Sequence, residues 1–371
     1  MNIKKKRVLK RSAKAAIRKS KNGGFTNGFM RTLLKESKNE FASLMDEETQ
    51  STTTEYIDTG SLALNGLLTG DITEGIPNNK TIVFAGMEGC GKTYLVLECV
   101  KNAIDAGYIV CYFDSENAVD KDMLTERGID VKKVMYFPVA TVEEVRDQIV
   151  TIVNEYNNTK ENKPKVMLIL DSLGNLSTTK EIADIEGGKS KQDMTRARGI
   201  KSIFRVLSNK LARAKIPFLI TNHVYEVVGS FFPQKAQSGG SGPKYAASII
   251  ITITKSKAKD KAGNVCGIYM KCKTYKNRFC KPETSVKIYL DFAIGLNKYY
   301  GLQEFGNPLL SKATRGWTLH GKAISDKQLW SLEWDEELLK HINENVKNKI
   351  AFGNKNVVSM DQIVEDEKET K

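Results

Sequence analysis

From residue 81 onward, short apolar runs alternate with longer stretches in which apolar positions recur every three to four residues. Six runs are expected to be strands, at 81–85, 109–113, 134–137, 166–170, 218–221 and 248–254. The amphipathic stretches predict helices over 93–106, 142–156 and 192–214, the last closed by Pro217 ahead of the next strand. Such alternation predicts an α/β fold with a mostly parallel central sheet flanked by helices. Two further β-rich segments, 266–274 and 286–291, are expected to extend the sheet antiparallel at its edge.

The flanks follow other patterns. From Lys4 to Lys21 there are ten Lys or Arg and no acid, with Val8, Leu9, Ala13, Ala16 and Ile17 at roughly helical spacing. Three readings stay open for this arm: a solvated tail, a segment that binds nucleic acid or a neighbouring protomer, and an organelle transit peptide. Asn22-Gly23-Gly24 breaks it, an amphipathic stretch covers 29–41, and the polar, threonine-rich run 47–55 marks a first boundary. After Gly301 the pattern changes to a small mixed region holding Trp317, Trp330 and Trp334, and the chain ends in an acidic block with Asp361, Glu365, Asp366, Glu367 and Glu369. The expected organisation is a basic N-terminal arm and protomer-association segment at 1–50, a core at 51–300 and a small C-terminal domain with an acidic tail at 301–371.

Charge narrows the choice of partner. Lys and Arg number 57 against 44 Asp and Glu, a formal charge of +13 that favours a polyanion such as nucleic acid or an anionic surface. The six cysteines form no Cys-x-x-Cys pair, and with three histidines they offer no zinc-ligand spacing, so a reducing compartment is expected. Apolar runs such as 166–170 are far shorter than a membrane span, and no apolar stretch follows the basic arm as a secretory signal requires. The expectation is a soluble, cytoplasmic protein with no membrane partner.

Candidate chemistry begins directly after the 81–85 run. Gly86-Met87-Glu88-Gly89-Cys90-Gly91-Lys92-Thr93 fits G-x-x-x-x-G-K-[ST] between an expected strand and an expected helix, the context this motif requires. Its glycines let backbone N–H groups turn toward phosphates, and the helix N-terminus adds a positive dipole end. Lys92, expected on a solvent-facing loop, would reach the β- and γ-phosphates of ATP, and Thr93 would offer its hydroxyl to Mg²⁺. Asp171 ends the 166–170 run, where the crevice of an open α/β sheet should present a metal-side acid; a helix N-cap is its alternative. Glu116 follows the 109–113 run and could hold the attacking water, although by position it is equally a first-turn helix acid.

With their neighbours these motifs resemble the RecA family of recombinases, and most closely its phage-type, UvsX-like members. The resemblance rests on Thr59-Gly60-Ser61-Leu62-Ala63-Leu64-Asn65, on Phe113-Asp114-Ser115-Glu116-Asn117-Ala118-Val119-Asp120 and on Leu170-Asp171-Ser172-Leu173-Gly174-Asn175-Leu176, and it runs from about residue 54 to 316. It implies Glu116 for water activation, Asp171 for the metal's water shell, and Asp120 and Met123 for adenine contact, with Met123 replacing an aromatic of bacterial members. His223, in Thr221-Asn222-His223, falls at the family's γ-phosphate sensor; from the residues alone it is a histidine satisfied at a strand end. Residues 184–192 and 224–244, too irregular for helix or sheet, resemble the two DNA-binding loops. Lys189, Lys191, Arg196, Arg198, Phe231, Phe232, Lys235, Gly239 and Gly240 would contact DNA there; each charge or ring could equally be solvated or packed locally, and Arg196 and Arg198 could exchange roles. Lys276 and Arg278 match two basic residues that reach a neighbour's γ-phosphate; blunting an edge strand is their alternative.

The resemblance implies an ATP- and Mg²⁺-dependent, DNA-dependent ATPase. It would form a homo-oligomeric helical filament on single-stranded DNA and pair it with homologous duplex in recombination and repair, with single-strand-binding and loader proteins as further partners. A hexameric DNA helicase and a nucleotide-switched regulator that binds no DNA are the competing readings.

Overall fold

The computed structural model describes residues 28–39, 41–45, 49, 52–188, 196–226, 235–237, 246–306, 310–313, 316–319, 321–325, 328 and 334–352. The chain divides into two compact units, Met1–Thr52 and Thr53–Lys371. In the first, helix α1 (Gly28–Glu36) forms from the amphipathic stretch.

The second unit opens with β1 (Tyr56–Ile57), helix α2 (Leu62–Thr69) and β2 (Ile76–Pro77), the two strands pairing antiparallel. Ser61 caps α2 by accepting from the Leu64 N–H, and Gly70 ends it in the left-handed conformation that glycine tolerates best. Every residue from Leu62 to Leu68 is buried, so this helix has no polar face and no amphipathic signature.

The main sheet is built from β3 (Thr81–Gly86), β4 (Tyr108–Asp114), β5 (Val134–Pro138), β6 (Lys165–Asp171), β7 (Phe218–Glu226), β8 (Lys235–Gln237), β9 (Ile249–Lys259), β10 (Val265–Asn277), β11 (Ser285–Asp291) and β12 (Gly295–Leu296). Its lateral order is β12-β11-β10-β9-β3-β7-β6-β4-β5, with β8 paired to β7. Neighbours from β9 to β5 run parallel, and β10, β11 and β12 add antiparallel at one side, as the sequence leads one to expect. The C-terminal ends of β3, β4, β6 and β7 therefore open on one edge, where α/β sheets bind ligands.

Alternation along each strand divides the core in two. Ile82 and Phe84 of β3 and Met167 and Ile169 of β6 join one cluster with Leu95, Val96 and Cys99 of helix α3 (Lys92–Asp105). A short helix, α4 (Lys121–Glu126), follows β4. Val83, Ala85, Leu168 and Leu170 face the opposite way, onto α5 (Val142–Asn158) and, beyond α6 (Thr179–Glu186), onto α7 (Arg196–Ala214). Helix α5 starts at a capping box between Thr141 and Glu144 and buries Val142, Val145, Ile149 and Val153. Helix α7 buries Ile200, Phe204, Leu207 and Leu211, the stripe that its sequence spacing predicts.

Toward the C-terminus, β13 (Leu310–Lys312), β14 (Trp317–Leu319) and β15 (Lys322–Ile324) form a small antiparallel sheet, and helix α8 (Glu336–Ile350) follows. Leu338, Ile342, Val346 and Ile350 of α8 enter the same core cluster as Leu64 and Leu67 of α2. Lys347 clamps this packing through a 2.6 Å ion pair with Asp71, and the Asn343 amide donates to the same carboxylate at 3.0 Å. Burial pushes the Asp71 carboxyl up, but hydrogen bonds from Lys347, Thr73 and Asn343 outweigh it and hold it at about 2. The folded-state value is depressed, so this stabilisation is complete above the unfolded value of about 3.9 and is lost as pH falls toward 2. Asp71→Asn should cost about 1–2 kcal/mol at neutral pH, a figure reduced for the solvent exposure of Lys347. Urea titrations from pH 7 down to pH 3 should show the two proteins converging; curves that stay parallel would remove the clamp's electrostatic part.

Two stretches expected to be irregular are partly regular. Asp184–Glu186 end α6, and Gly187 and Gly188 form the turn after it. Val224, Tyr225 and Glu226 belong to β7 and pair antiparallel with Gln237, Ala236 and Lys235 of β8. Sheet pairing across the loop satisfies backbone groups that a structureless segment would leave to water. Strand β9 also runs five residues past its expected end, carrying exposed Lys255, Lys257 and Lys259 opposite β10. No helix of the described residues is long and apolar enough to cross a membrane, and all six cysteines are free.

Candidate nucleotide site

Residues 86–93 join β3 to α3. Gly89 and Gly91 have φ of 64° and 89°, in the left-handed region that glycine enters without strain. A Cβ on Gly91 would stand 2.7 Å from the Met270 Sδ, so a larger residue would have to displace that side chain. Gly91 is the N-cap of α3 and supplies no side-chain cap, which leaves the first N–H groups of the helix for an anion. Cys90 turns inward and is buried, whereas Met87 is half exposed. Lys92 is only 6 % exposed, contrary to the solvent-facing position expected of it. Its ammonium donates to the carbonyls of Gly86 at 3.1 Å and Met87 at 2.9 Å, so the loop folds around its own lysine. Burial of this kind is affordable because a charged donor finds carbonyl acceptors.

Two acids, Asp171 and Glu116, line the cleft beside this loop, and a third, Asp114, supports the second. Asp171, at the end of β6, is 3 % exposed and accepts from Tyr112 at 2.9 Å, from Thr221 and from the Thr93 hydroxyl. Burial raises its carboxyl above the usual range, with the three hydroxyls opposing. A desolvated carboxylate beside the Thr93 hydroxyl suits a hard cation shared with phosphates, so the residues present fit Mg²⁺. Asp114, at the end of β4, accepts from the N–H groups of Glu116 at 2.9 Å, Ala118 at 3.1 Å and Val119 at 3.2 Å. It thereby fixes the turn that carries Glu116. The Glu116 Oε1 accepts from the Ser172 hydroxyl at 2.6 Å and lies 2.9 Å from the Nε2 of His223. Burial raises the Glu116 carboxyl, yet the bonds to Ser172 and His223 outweigh it and leave it below its ordinary value.

Lys92, Thr93, Glu116, Asp171 and His223 all line one cleft of about 550 Å³. Its outer wall carries residues for which the sequence offers no sharp motif. Tyr94 bears the Arg127 guanidinium 4.1 Å above its ring, Lys255 donates to the Gly89 carbonyl at 2.8 Å, and Phe292 is 62 % exposed.

The RecA N-terminal domain family model matches residues 31–297, well over half of the chain. The chain belongs to the RecA family. It is similar to the "Recombination and repair protein" of Enterobacteria phage T4, 29% identical over 283 residues that cover 73% of this chain and 69% of the relative. It is also similar to "Protein RecA" of Paenarthrobacter aurescens, 25% identical over 305 residues covering 81% and 84%. "Protein RecA" of Malacoplasma penetrans is 28% identical over 251 residues covering 67% and 72%.

Within this RecA-like core the remaining candidates are dispersed. Asp120 caps α4, accepting from the Met123 N–H at 2.8 Å, and Met123 packs against the core; neither is among the residues lining the cleft. Arg196, at the start of α7, donates through Nη2 to the Gly174 carbonyl at 2.8 Å, while Arg198 is exposed. Lys235 stands in β8. Lys189, Lys191, Phe231, Phe232, Gly239 and Gly240 lie outside the described residues. Lys276 pairs with Ile250 of β9, which pairs in turn with Val83 of β3. That register puts Lys276 about 10 Å below Gly86 along the strand and two strand spacings, about 10 Å, to the side; Arg278 is further still. Burial, with Arg278 as neighbour, lowers the Lys276 ammonium below its usual range, and Lys80 is lowered by burial, Lys215 and Arg278. Four cations therefore share the sheet end opposite the phosphate loop.

Proposed function

We propose that this RecA-family chain is an ATP-dependent DNA strand-exchange recombinase that assembles as a helical filament on single-stranded DNA and pairs it with homologous duplex in recombination and repair. One observation carries the reading: the cleft gathers Lys92, Asp171, Glu116 and His223, while Lys276 and Arg278 stand out of its reach. A protomer so built has the cis half of a hydrolytic site at one sheet edge and a cationic surface at the other, and a head-to-tail neighbour would join the two.

The α3 N-terminus, residues 86–91 and Lys92 hold the phosphates of ATP. Thr93 and Asp171 would hold Mg²⁺, which would supply positive charge to the phosphates. Glu116, kept ionised by Ser172 and His223, takes the proton of the attacking water, and His223 shares its carboxylate and faces the γ-phosphate. Lys276 and Arg278 of the next protomer stabilise charge on the transferring group, so hydrolysis requires a formed filament. Asp120 and Met123 serve the adenine end. Lys189, Lys191 and Arg198, with the basic and aromatic residues of 231–240, serve the DNA, and single-strand-binding and loader proteins act with the filament in the cytoplasm.

Electron microscopy with single-stranded DNA and a slowly hydrolysed ATP analogue tests this reading against the helicase: helical filaments are expected, and closed rings would overturn it. Absence of DNA-stimulated ATPase would favour a nucleotide switch instead. Lys92→Ala should weaken ATP binding about 10- to 100-fold, the loss of one charge-assisted contact, and abolish nucleotide-dependent DNA binding. Because Lys92 is buried, Lys92→Arg and circular dichroism should accompany it to separate phosphate loss from loop collapse. Parental ATP affinity in a folded Lys92→Ala protein would remove the phosphate-loop assignment.

A further inference from the structure

We propose that Arg196 is a positioning residue for hydrolysis, holding the Gly174 backbone so that the turn around it fixes both partners of Glu116. The inference rests on the recombinase reading of the site and assigns Arg196 a task other than DNA contact.

The argument starts at the turn. Leu173–Asn175 form one 3₁₀ turn directly after Asp171 and Ser172, anchored by the fully buried Leu173. At the near end, Ser172 donates to the Glu116 Oε1 at 2.6 Å. At its middle, Gly174 abuts the imidazole of His223: a Cβ built there would lie 2.8 Å from the His223 Cδ2 and 3.4 Å from its Cβ. His223 meets the same Glu116 oxygen at 2.9 Å. One short piece of backbone thus sets the two groups that orient the water-activating carboxylate.

Arg196 holds that backbone from outside. Its Nη2 donates to the Gly174 carbonyl at 2.8 Å, and its Nε is buried without a hydrogen-bond partner. Leaving one guanidinium N–H desolvated carries a cost. Arg198 lies two residues on, about 200° around the helix, and is exposed. The two arginines are therefore not equivalent: one is turned into the protein toward the site, the other away from it. Arg196 also lies four residues beyond 184–192, the stretch that resembles the first DNA-binding loop.

Four full-length variants test this: Arg196→Ala, Arg196→Lys, Arg198→Ala and Gly174→Ala. Each is assayed for affinity to single-stranded DNA with a slowly hydrolysed ATP analogue, and for kcat and ATP KM at saturating DNA. Arg196→Ala should lower kcat about 10- to 100-fold, the range expected when a catalytic group is displaced by about an ångström, with KM and DNA affinity within about twofold of the parent. Arg196→Lys, which keeps one cationic donor, should recover most of the lost kcat. Gly174→Ala, whose methyl must push the imidazole aside, should reproduce the kcat loss with Arg196 intact. Arg198→Ala should do the reverse, losing DNA affinity and flattening its salt dependence while kcat at saturating DNA holds. The inference is overturned if Arg196→Ala loses DNA affinity and keeps kcat, or alters neither. Should Arg196→Ala fail to fold, normal kcat in Gly174→Ala overturns it alone. A parent without DNA-stimulated hydrolysis would instead sink the recombinase reading, and this inference with it.

Discussion

Replacing Glu116 with glutamine should leave a protein that takes up ATP and single-stranded DNA yet hydrolyses the nucleotide about 10²- to 10⁴-fold more slowly, the usual worth of a positioned general base. Glutamine matches the shape of glutamate and still accepts from Ser172, so the Asp114-bound turn and the phosphate loop stay as they are. Only proton acceptance is lost. Filaments formed with ATP should consequently persist as they do with a slowly hydrolysed analogue. The parent's pH dependence supplies a second readout. The Glu116 carboxyl lies below its ordinary value, so the base stays ionised as pH falls past the usual glutamate value of about 4.3, and loss of rate above that pH would belong to another group. A Glu116→Gln protein that cannot bind ATP would make Glu116 a binding residue. One that hydrolyses at the parental rate would place the base elsewhere.

What could be read in advance, and what could not, follows from which signals are local. Strands β3, β4, β6 and β7 are buried on both faces and appear as continuous apolar runs, and the 86–93 loop needs its residues contiguous, so both stand out. Helix α2 escaped because burial on all sides removes the periodicity that betrays a helix. The second half of β9 escaped because Lys255, Ser256, Lys257 and Lys259 are held in strand by pairing with β10, not by apolar content. Helix α8 carries an ordinary amphipathic pattern, but its four buried positions gain meaning only from α2, more than 260 residues earlier. At the site, Asp171 and Glu116 were legible from their places after apolar runs. Tyr112, Ser172 and Thr221 were not: each is an unremarkable hydroxyl until the parallel register sets β4, β6 and β7 side by side. Arg196 is the sharpest case, since no sequence feature separates it from Arg198, and only the side of α7 on which each lies does.

Lys276 provides the strongest test of the proposed assembly, because Lys276→Ala and Glu116→Gln should each abolish DNA-stimulated hydrolysis alone and yet restore part of it when mixed. Lys276 lies at the sheet end away from its own phosphate loop, so any action on γ-phosphate must be directed at a neighbour. In a random co-filament, a Lys276→Ala protomer brings an intact Glu116 and phosphate loop, and a Glu116→Gln neighbour donates an intact Lys276. That junction holds every group the reaction needs. The opposite junction carries both defects, and junctions between like protomers carry one, so about a quarter of sites can be active in an equal mixture. Hydrolysis plotted against mixing ratio, at fixed total protein and excess DNA, should therefore arch to a maximum at equal proportions. Arg278→Ala in place of Lys276→Ala should give the same arch, since both residues stand on one surface. A flat line at the level of the inactive parents, with co-assembly demonstrated by labelled protomers, would mean that Lys276 acts within its own protomer or not at all. The register of β10 on β9 and β3 leaves it no route to the first of these, so the flat line would return Lys276 and Arg278 to the role of basic residues that blunt a sheet edge.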